Sequence, residues 1–373
     1  MDEVGVPSTI RGVIAARIDG LSADRRRVLR EVSVVGRDFL HRLVHQVTDR
    51  PDGLDASLLD LVGADLIRGT AIDPELEYAF KHALTQEVAY EGLPRRDREA
   101  LHERVARAIE SALADRTGEF AETLAYHYER SGHVEEVVTY LQRSGRKALD
   151  RYALAEADSH YRNAYALLIA ETGSGTGPVD PARRDRLLLE LILDWAQVHY
   201  YQGRFGDLHQ LVTAHAELPE RVGDDGLHAR WLAWSGHLVI NVLGGIRESI
   251  RLLEEAAALA ERSGDVTAEA YALAWLPWSL YPAGRTREVP ALWERLQALL
   301  PAVPDLHHRR YAHIKGLGGA ATTAVVRGRT REARDLARDL LAVGGEQGKR
   351  RGRRPRLPAL GARLVRRDRC RVR

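Results

Sequence analysis

At 373 residues the chain is long enough for two or three domains, and its low aromatic content (6%) favours an all-helical protein. A single cysteine, Cys370, excludes a disulfide framework and a cysteine-based metal site. No stretch has the apolar length of a signal-peptide core or of a membrane span, so the sequence predicts a soluble, cytoplasmic protein without a membrane partner.

The net charge of +2 hides two very different regions. Residues 349–373 contain 12 Lys and Arg against one acid, Asp368, which leaves the first 348 residues with a net charge of −9. Arginine outnumbers lysine 51 to 4, as a GC-rich genome would give. The basic tail resembles the product of a shifted reading frame in such DNA. A frameshifted or disordered tail is favoured over a basic arm that binds nucleic acid or acidic lipid.

The N-terminal region, residues 1–93, begins with four helix signals. Apolar residues recur at helical spacing, and residues typical of helix starts and stops flank each run. Asp38 is expected to cap one of these helices, because its side-chain oxygen can accept a hydrogen bond from an unpaired backbone N–H. The pattern predicts a lead-in helix and three core helices, over residues 8–21, 22–36, 38–47 and about 53–65.

Two strands follow these helices. Alternating apolar residues predict strands over residues 66–70 and 76–80, and Asp73–Pro74 between them is typical of a turn. Three core helices followed by a β-hairpin predict a winged helix.

The third core helix of this module is the one that would enter the major groove of DNA. It carries Asp55, Asp60 and Asp65 and no Lys or Arg. Phosphates would repel these carboxylates. The sequence therefore argues against nucleic acid as the partner.

The region after Leu93 is predicted to be helical throughout. Pro94 starts an amphipathic connector helix over residues 94–116. Beyond it, glycine-containing turns recur about every 40 residues, which is typical of two-helix repeats. The turns lie at residues 131–137, 202–208, 243–249, 283–289 and 327–333, and a further second helix fits residues 152–168. The pattern predicts irregular tetratricopeptide-like hairpins that stack as an α-solenoid, with a Gly-rich linker at residues 171–182.

Aromatic residues cluster on the first helices of these hairpins. Core packing is the favoured role for each of them. The alternative is that some line the concave groove, where aromatic side chains anchor bound peptides. The candidates for binding a protein or peptide partner are Trp195, Tyr201, Trp231, Trp234, Trp275 and Trp278.

Three strings are the most recognisable part of the chain: VPSTIRGVIAARIDGLSADRRRVLREVSVVGRDF, LEYAFKHALTQEVAYEGL and AYHYERSGHVEEVVTYLQRSGRKAL. Over residues 5–170, in order and spacing, they resemble the region C-terminal to the AAA-type ATPase module in bacterial class III adenylate/guanylate cyclases that end in tetratricopeptide repeats. ATPase–repeat regulators that end in LuxR-type DNA-binding domains share weaker versions. The resemblance implies a STAND-type switch, in which a winged helix and repeats regulate an ATPase or cyclase module.

The chain lacks the parts that would make such a switch catalytic. It has no G-x-x-x-x-G-K-[ST] loop to hold nucleotide phosphates and no cyclase domain. The sequence therefore predicts no enzymatic activity and no cofactor in this chain. ATP or ADP would matter only if an ATPase module is supplied, in the same chain or by another one.

The resemblance implies one candidate nucleotide contact. His82, with Lys81 beside it, lies where a strand meets a helix, and backbone N–H groups at a helix start favour anions. These two residues could sense a nucleotide phosphate. The favoured alternative is that His82 caps its own helix or hydrogen-bonds within the domain.

The sequence thus predicts an all-α protein with an N-terminal winged helix, including a small β-hairpin, and a TPR-like α-solenoid. Its expected function is the noncatalytic sensing and protein-interaction segment of a STAND-type ATPase or cyclase regulator. A fragment of a DNA-binding, LuxR-like regulator is the alternative. The expected domains are the winged helix at 1–93, the connector at 94–116, first repeats at 117–170, the linker at 171–182, the repeat array at 183–342 and the basic tail at 343–373.

Overall fold

The structure is a computed structural model of the whole chain, and it describes residues 8–71, 76–170 and 179–351. These residues are mostly helical, with one three-stranded sheet. They divide into two compact units, residues 8–143 and residues 144–170 with 179–351. The division falls inside one helix, whereas the sequence placed its boundaries near residues 93, 116, 170 and 182. Within the described residues, no helix combines the length and the apolar character needed to cross a bilayer.

The described residues of the first unit contain seven α-helices and the start of an eighth, a short 3-10 helix (Ala114–Phe120) and three short strands. The helices are α1 (Ser8–Asp19), α2 (Ala23–Val35), α3 (His41–Val47), α4 (Leu54–Gly63), α5 (Ala83–Glu91), α6 (Arg95–Ala112), α7 (Ala121–Ser131) and α8 (Val134–Asp150). The strands are β1 (Asp38–Leu40), β2 (Ile67–Ala71) and β3 (Glu77–Phe80).

The three strands form an antiparallel sheet in the order β1–β3–β2. The prediction that Asp38 caps a helix is wrong, because Asp38 opens β1 and pairs with Ala79, and α3 begins only at His41. The reason lies in Phe39, whose ring packs 5.9 Å from that of Tyr78 in the sheet and is buried. The predicted turn at Asp73–Pro74 lies outside the described residues.

Other predicted elements of this unit are close to those observed. The first hairpin strand is displaced by one residue, the second begins one residue later than predicted, and the lead-in helix ends at Asp19. The third core helix ends at Gly63, so Asp65 lies outside it with a left-handed φ of 62°. The unit's core is formed by buried apolar residues of α2, α4, β3 and α6, including Val28, Leu29, Val32, Leu58, Leu61, Phe80 and Val105.

The second unit is built from helical hairpins. Its helices after α8 are α9 (Leu154–Ile169), α10 (Pro181–Tyr201), α11 (Phe205–Ala214), α12 (Leu218–Val222), α13 (Asp225–Leu238), α14 (Ile246–Ser263), α15 (Val266–Leu280), α16 (Val289–Leu299), α17 (Leu306–Val326) and α18 (Thr330–Arg351). Consecutive helices pack as the pairs α10/α11, α13/α14, α15/α16 and α17/α18. The first helices of these hairpins are α10, α13, α15 and α17. The helical-repeat prediction is confirmed by these pairs.

The same backbone device turns the chain within each pair. A residue with left-handed φ separates the two helices, and Gly supplies it without the steric cost of a Cβ. These glycines are Gly203, Gly244, Gly284 and Gly328, with φ between 67° and 76°. Tyr152 occupies the corresponding place between α8 and α9 with φ 60°, so this turn carries no glycine signal.

An aspartate begins each first helix. Its side chain accepts a hydrogen bond from a backbone N–H in the first turn, which satisfies a donor that the helix leaves unpaired. The four caps are Asp180, Asp224, Asp265 and Asp305, and they recur every 40 to 44 residues. Helix α10 therefore begins at Pro181, inside the predicted linker, and residues 171–178 lie outside the described part.

The last helix is longer than expected. The sequence placed a basic tail at residues 343–373, but α18 continues to Arg351. No proline interrupts the chain between Thr330 and Arg351, although three glycines after residue 343 disfavour a helix. Residues 352–373 lie outside the described residues.

Candidate functional site

A polar groove runs along the N-terminal ends of the first helices in the second unit. One part has a volume of about 500 Å³ and is lined by the starts of α13 and α15 and by Pro304. A second part of about 350 Å³ is lined by residues of α8, α10 and α13, including Arg146 and Arg186. Both parts share Asp224, Arg230 and Asp265. They lie side by side and form one surface, called here the cap groove.

The helix caps hold the groove's arginines in place. Asp224 accepts the backbone N–H of Leu227 at 3.0 Å through Oδ1, and its Oδ2 lies 3.0 Å from Nη2 of Arg186. Asp265 repeats this arrangement, because Oδ1 caps α15 while Oδ2 accepts Nε of Arg230 at 2.8 Å. Each carboxylate thus uses one oxygen for the helix and the other for a guanidinium group.

A third arginine completes the set. Arg146 of α8 lies 2.6 Å from Asp194 of α10. Burial raises the pKa of Asp194, and the nearby Arg146 partly offsets that rise. The pKa of Asp224 is lowered, chiefly by the hydrogen bond from Leu227 and also by Arg186. The groove therefore combines positive and negative groups, and its sign is not uniform.

These arginines keep donors free for a ligand. A guanidinium group has five N–H donors in a planar fork, and even Arg186, which pairs with Asp224 through Nη2 and with Glu190 through Nε, keeps some of them free. The side chains of Arg146, Arg186 and Arg230 remain 57%, 43% and 34% exposed. The groove can thus bind carboxylates or backbone carbonyl groups of a chain laid along it.

Aromatic and imidazole rings fill the space between the first helices. His237 stacks on Trp275 with ring centroids 4.5 Å apart, and Trp234 meets Trp275 at 4.7 Å. Tyr311 of α17 lies 5.2 Å from both Tyr200 of α10 and Tyr271 of α15. This ring cluster joins helices that are far apart in the sequence.

Polar bonds fix the edge of the ring cluster. Nδ1 of His308 lies 2.9 Å from Nε2 of Gln197 and 2.7 Å from the Tyr271 hydroxyl. Burial lowers the pKa of His308 to about 4 and that of His237 to about 3, so both imidazoles are neutral at pH 7. Neutral rings can remain in this interior without a carboxylate partner.

The structure corrects four of the predicted partner-binding residues. Trp195, Trp231, Trp234 and Trp275 are between 1% and 7% exposed. Side chains this deeply buried pack between helices and cannot contact a partner on the surface of this structure. Periodicity predicts that a residue lies on a helix, but the packing of neighbouring helices decides whether its side chain is buried.

The other two predicted aromatics are more accessible. Tyr201 is partly buried, with its ring 5.1 Å from that of Tyr152. Trp278 is 38% exposed, and its indole N–H donates to the Lys315 carbonyl at 3.1 Å. Partner binding at these two residues stays a prediction.

Lys81 and His82 lie in the first unit at the start of α5, as the sequence indicated. Both side chains are exposed. Lys81 forms an ion pair with Asp65, and this bond lowers the pKa of Asp65. His82 occupies the N-cap position with no side-chain cap hydrogen bond, so it does not cap its own helix. Nucleotide sensing by these residues stays a prediction.

The sequence reasoning missed the cap groove. Arginine is abundant throughout the chain, and the arginines of the groove do not belong to a recognisable motif. One signal was present, because Asp180, Asp224, Asp265 and Asp305 recur at the repeat interval. The glycine turns that define the predicted repeats do not mark these aspartates.

Comparison with known proteins gives one related sequence and several similar solved structures. No model of a protein family matches the chain. An uncharacterized protein of Rhizobium meliloti (strain 1021) is 26% identical over 164 residues, or 43% of this chain. The matched stretch is 16% of that protein, so the chain spans about a sixth of the length of this curated relative.

Three solved structures resemble the chain at low identity. A Signal Transduction ATPase with Numerous Domains with a tetratricopeptide repeat sensor, from Pyrococcus horikoshii, is 12% identical with a TM-score of 0.49, covering 93% of this chain and 54% of that one. Aspartyl phosphate phosphatase F from Bacillus subtilis is 12% identical with a TM-score of 0.45, covering 92% and 96%. BtubC from P. vanneervenii is 15% identical with a TM-score of 0.43, covering 66% and 93%. A TM-score below 0.5 does not establish a common fold, so the architecture rests on the helices described above.

Proposed function

We propose that the second unit binds an extended peptide segment of a protein partner along the cap groove. The observation that carries this proposal is the row of three arginines, two of them held by helix-cap aspartates and Arg146 held by Asp194, with guanidinium donors still exposed. A shallow polar groove suits a chain with many carbonyl and carboxylate acceptors. A small apolar ligand would need an enclosed apolar pocket instead.

The binding experiment uses the full chain and a displayed library of random peptides. Enriched peptides are synthesised, and their dissociation constants are measured by isothermal titration calorimetry. Arg186→Gln removes one exposed guanidinium from the groove and is expected to weaken binding about tenfold, because each 1.4 kcal/mol of lost interaction is a factor of ten.

Arg251→Gln is the matched control. Arg251 is an exposed arginine of α14 that pairs with Glu248 and Glu255, away from the groove. Its replacement should leave peptide affinity unchanged. If no peptide is enriched, or if both variants bind equally well, the groove is not the binding surface.

The first unit is proposed to be the coupling element. Its order α2, β1, α3, α4, β2, β3 places three helices ahead of an antiparallel hairpin, which supports the winged helix expected from the sequence. In this proposal, peptide binding on the repeats changes the balance between two states of an ATPase or cyclase module that another region or another chain provides. The chain itself is proposed to be noncatalytic.

The noncatalytic assignment has a direct test. The sequence lacks a phosphate-binding loop, so the purified full chain is expected to release no phosphate from ATP above the buffer rate. Lys81→Met with His82→Ala should leave this background unchanged. Turnover that disappears in this double variant would show that these two residues belong to an active site.

A further inference from the structure

Lys315, in the middle of α17, is one of only four lysines in the chain. Its ammonium lies 4.5 Å from the ring centroid of Tyr200, 5.9 Å from that of Trp278 and 6.0 Å from that of Tyr311. Among the described residues, no carboxylate forms an ion pair with it. Three aromatic rings therefore form a cage, called here the lysine cage, around an unpaired cation.

Neighbouring cations of the same unit are paired. Arg204 binds Asp158, Arg295 binds Glu269, and the arginines of the cap groove each bind an aspartate. Burial lowers the pKa of Lys315, and no carboxylate counteracts this effect. A cation–π contact compensates only part of the cost of removing an ammonium group from water without a partner.

The cage is built into the helix packing. The indole N–H of Trp278 donates to the Lys315 carbonyl at 3.1 Å, which fixes the ring beside the ammonium. Two glycines allow this close approach. A Cβ at Gly318 would lie 3.0 Å from Trp278 Cζ2, and one at Gly319 would lie 2.7 Å from Pro277 Cβ. The geometry exists before any ligand arrives, which lowers the entropic cost of binding.

We propose that Lys315 binds a carboxylate group of a partner peptide, and that the exposed face of Trp278 packs against an apolar side chain next to that carboxylate. This inference rests on the proposed peptide-binding function and assigns part of its specificity. The cage lies near the C-terminal ends of α10 and α15, whereas the cap groove lies at the N-terminal ends of the first helices. The two sites would contact different parts of the ligand.

The chemistry favours a carboxylate over a phosphate. A single ammonium matches the charge of a monoanion, while a phosphate dianion is normally held by several donors or by arginine forks. The Trp278 N–H is already used by the backbone. Aromatic surfaces around the cation also suit a group attached to an apolar residue.

The sparse lysines make a direct test feasible. Full-length protein with ¹³C-labelled lysine gives one set of ε-methylene NMR signals for each of the four lysines, and Lys315→Arg identifies the signal of Lys315. The probes are N-acetyl-leucyl-leucine with a free carboxylate, the same dipeptide as its C-terminal amide, and inorganic phosphate. Millimolar carboxylate peptide is expected to shift the Lys315 signal selectively and to raise the pKa of Lys315, because an anion stabilises the ammonium form.

Each other outcome overturns the inference. No shift with the carboxylate peptide, or an equal shift with the amide, means that Lys315 does not bind carboxylate. A larger shift with inorganic phosphate assigns the cage to a phosphorylated ligand instead. Shifts of Lys81, Lys147 and Lys315 together would indicate unspecific ion binding.

Library peptides separate this inference from the proposed function. Lys315→Met keeps a side chain of similar length without the charge, and it should weaken the binding of the library peptides about tenfold. Lys315→Arg should restore most of it, and Lys147→Met is the matched control. If the peptides bind and Lys315→Met has no effect, the cage assignment fails while the peptide-binding function stands. If no library peptide binds but the dipeptide still shifts the NMR signal of Lys315, the cage assignment stands while the peptide-binding function fails.

Discussion

At the scale of single residues, His102 and His127 form an unusual pair in the first unit. Their Nδ1 atoms lie 2.9 Å apart, and the Tyr90 hydroxyl lies 2.9 Å from Nε2 of His102. Both imidazoles are at most 2% exposed, between α6 and α7. One Nδ1 must donate and the other accept, so at least one ring must stay neutral and the contact is lost if both imidazoles are protonated.

The surroundings oppose protonation of this pair. Burial is the main cause, and it lowers the pKa of His102 to about 3 and that of His127 well below its usual range. Arg130 lowers both values further, and Arg98 acts on His102. The hydroxyl of Tyr90 offers no compensating negative charge.

The free energy of unfolding of the first unit is therefore expected to decrease as the pH is lowered. In the unfolded chain these histidines titrate near pH 6.5, so below this pH the unfolded state binds more protons. The contribution is complete above about pH 7 and decreases as pH falls toward about 3. Between about pH 7.5 and about pH 5.5, wild type should lose roughly 1 to 3 kcal/mol more than His102→Asn/His127→Gln.

Urea unfolding followed by circular dichroism at the two pH values measures this difference. His45→Gln, which replaces an exposed histidine of α3, should keep the wild-type pH dependence. A double variant with the same pH dependence as wild type would show that the buried pair is not the source.

A second residue-scale prediction concerns Asp158 of α9. Its Oδ1 accepts the Trp195 indole N–H at 2.8 Å and an Arg204 guanidinium N–H at 2.5 Å. Burial alone would raise the pKa of Asp158, but these bonds together lower it. Asp158→Ala leaves a buried indole N–H without its acceptor, and unfolding free energy should fall by about 1 to 3 kcal/mol.

Asp207 provides the matched control, because it faces the same Arg204 at 4.0 Å with a side chain that is 65% exposed. Asp207→Ala should change the unfolding free energy by less than about 1 kcal/mol, as for most surface ion pairs. Equal effects of the two substitutions in urea unfolding would contradict a structural role for the Asp158 bonds.

At the scale of helices, small residues set how closely the hairpins pack. A Cβ on Gly316 of α17 would lie 2.3 Å from Leu296 Cδ2 and 2.9 Å from Trp293 Cζ3 of α16. Gly316→Ala must therefore displace α17 or both side chains, and it should destabilise the protein by about 1 to 3 kcal/mol. Thermal unfolding by calorimetry provides the measurement.

Gly206→Ala tests whether the effect comes from contact or from helix propensity. Gly206 lies in α11 with no atom within 4 Å of the added Cβ. Alanine favours a helix by up to about 1 kcal/mol over glycine, so this variant should be neutral or more stable. A destabilised Gly206→Ala, or a neutral Gly316→Ala, would refute the packing argument.

The helices could be predicted where local chemistry decides the structure. A turn that needs left-handed φ nearly always takes glycine, so Gly203, Gly284 and Gly328 identified their hairpins. Asp38 has the same kind of local signal for a helix start, yet it became a strand residue. Sheet pairing buries Phe39, and that tertiary gain outweighs a cap preference of about 1 kcal/mol.

The candidate sites could not be predicted in this way. Gln197 and His308 are 111 residues apart in the chain, and no local pattern links them. The lysine cage likewise needs rings from α10, α15 and α17 around one side chain. Helical spacing placed Trp275 and Trp278 on the same helix, but only the packed structure shows that one is covered and the other exposed.

At the scale of the whole molecule, charge separates the described body from the end of the chain. Residues 1–348 carry a net charge of −9, while residues 352–373 contain nine arginines and one aspartate. The exposed face of α4 carries Asp55, paired with His41, and Asp60, paired with Arg25. Any affinity of the chain for nucleic acid should therefore come from residues 352–373.

Removal of residues 352–373 tests this prediction and the DNA-binding alternative together. The shortened chain keeps α18, which ends at Arg351. Any binding of the full chain to duplex DNA should be independent of DNA sequence and should weaken as salt rises, because each cation that contacts a phosphate releases a counterion. Fluorescence anisotropy at low and moderate salt should show that the shortened chain has lost this binding. Sequence-selective binding by the shortened chain would instead favour a DNA-binding regulator, since it would have to use the first unit despite the carboxylates on α4.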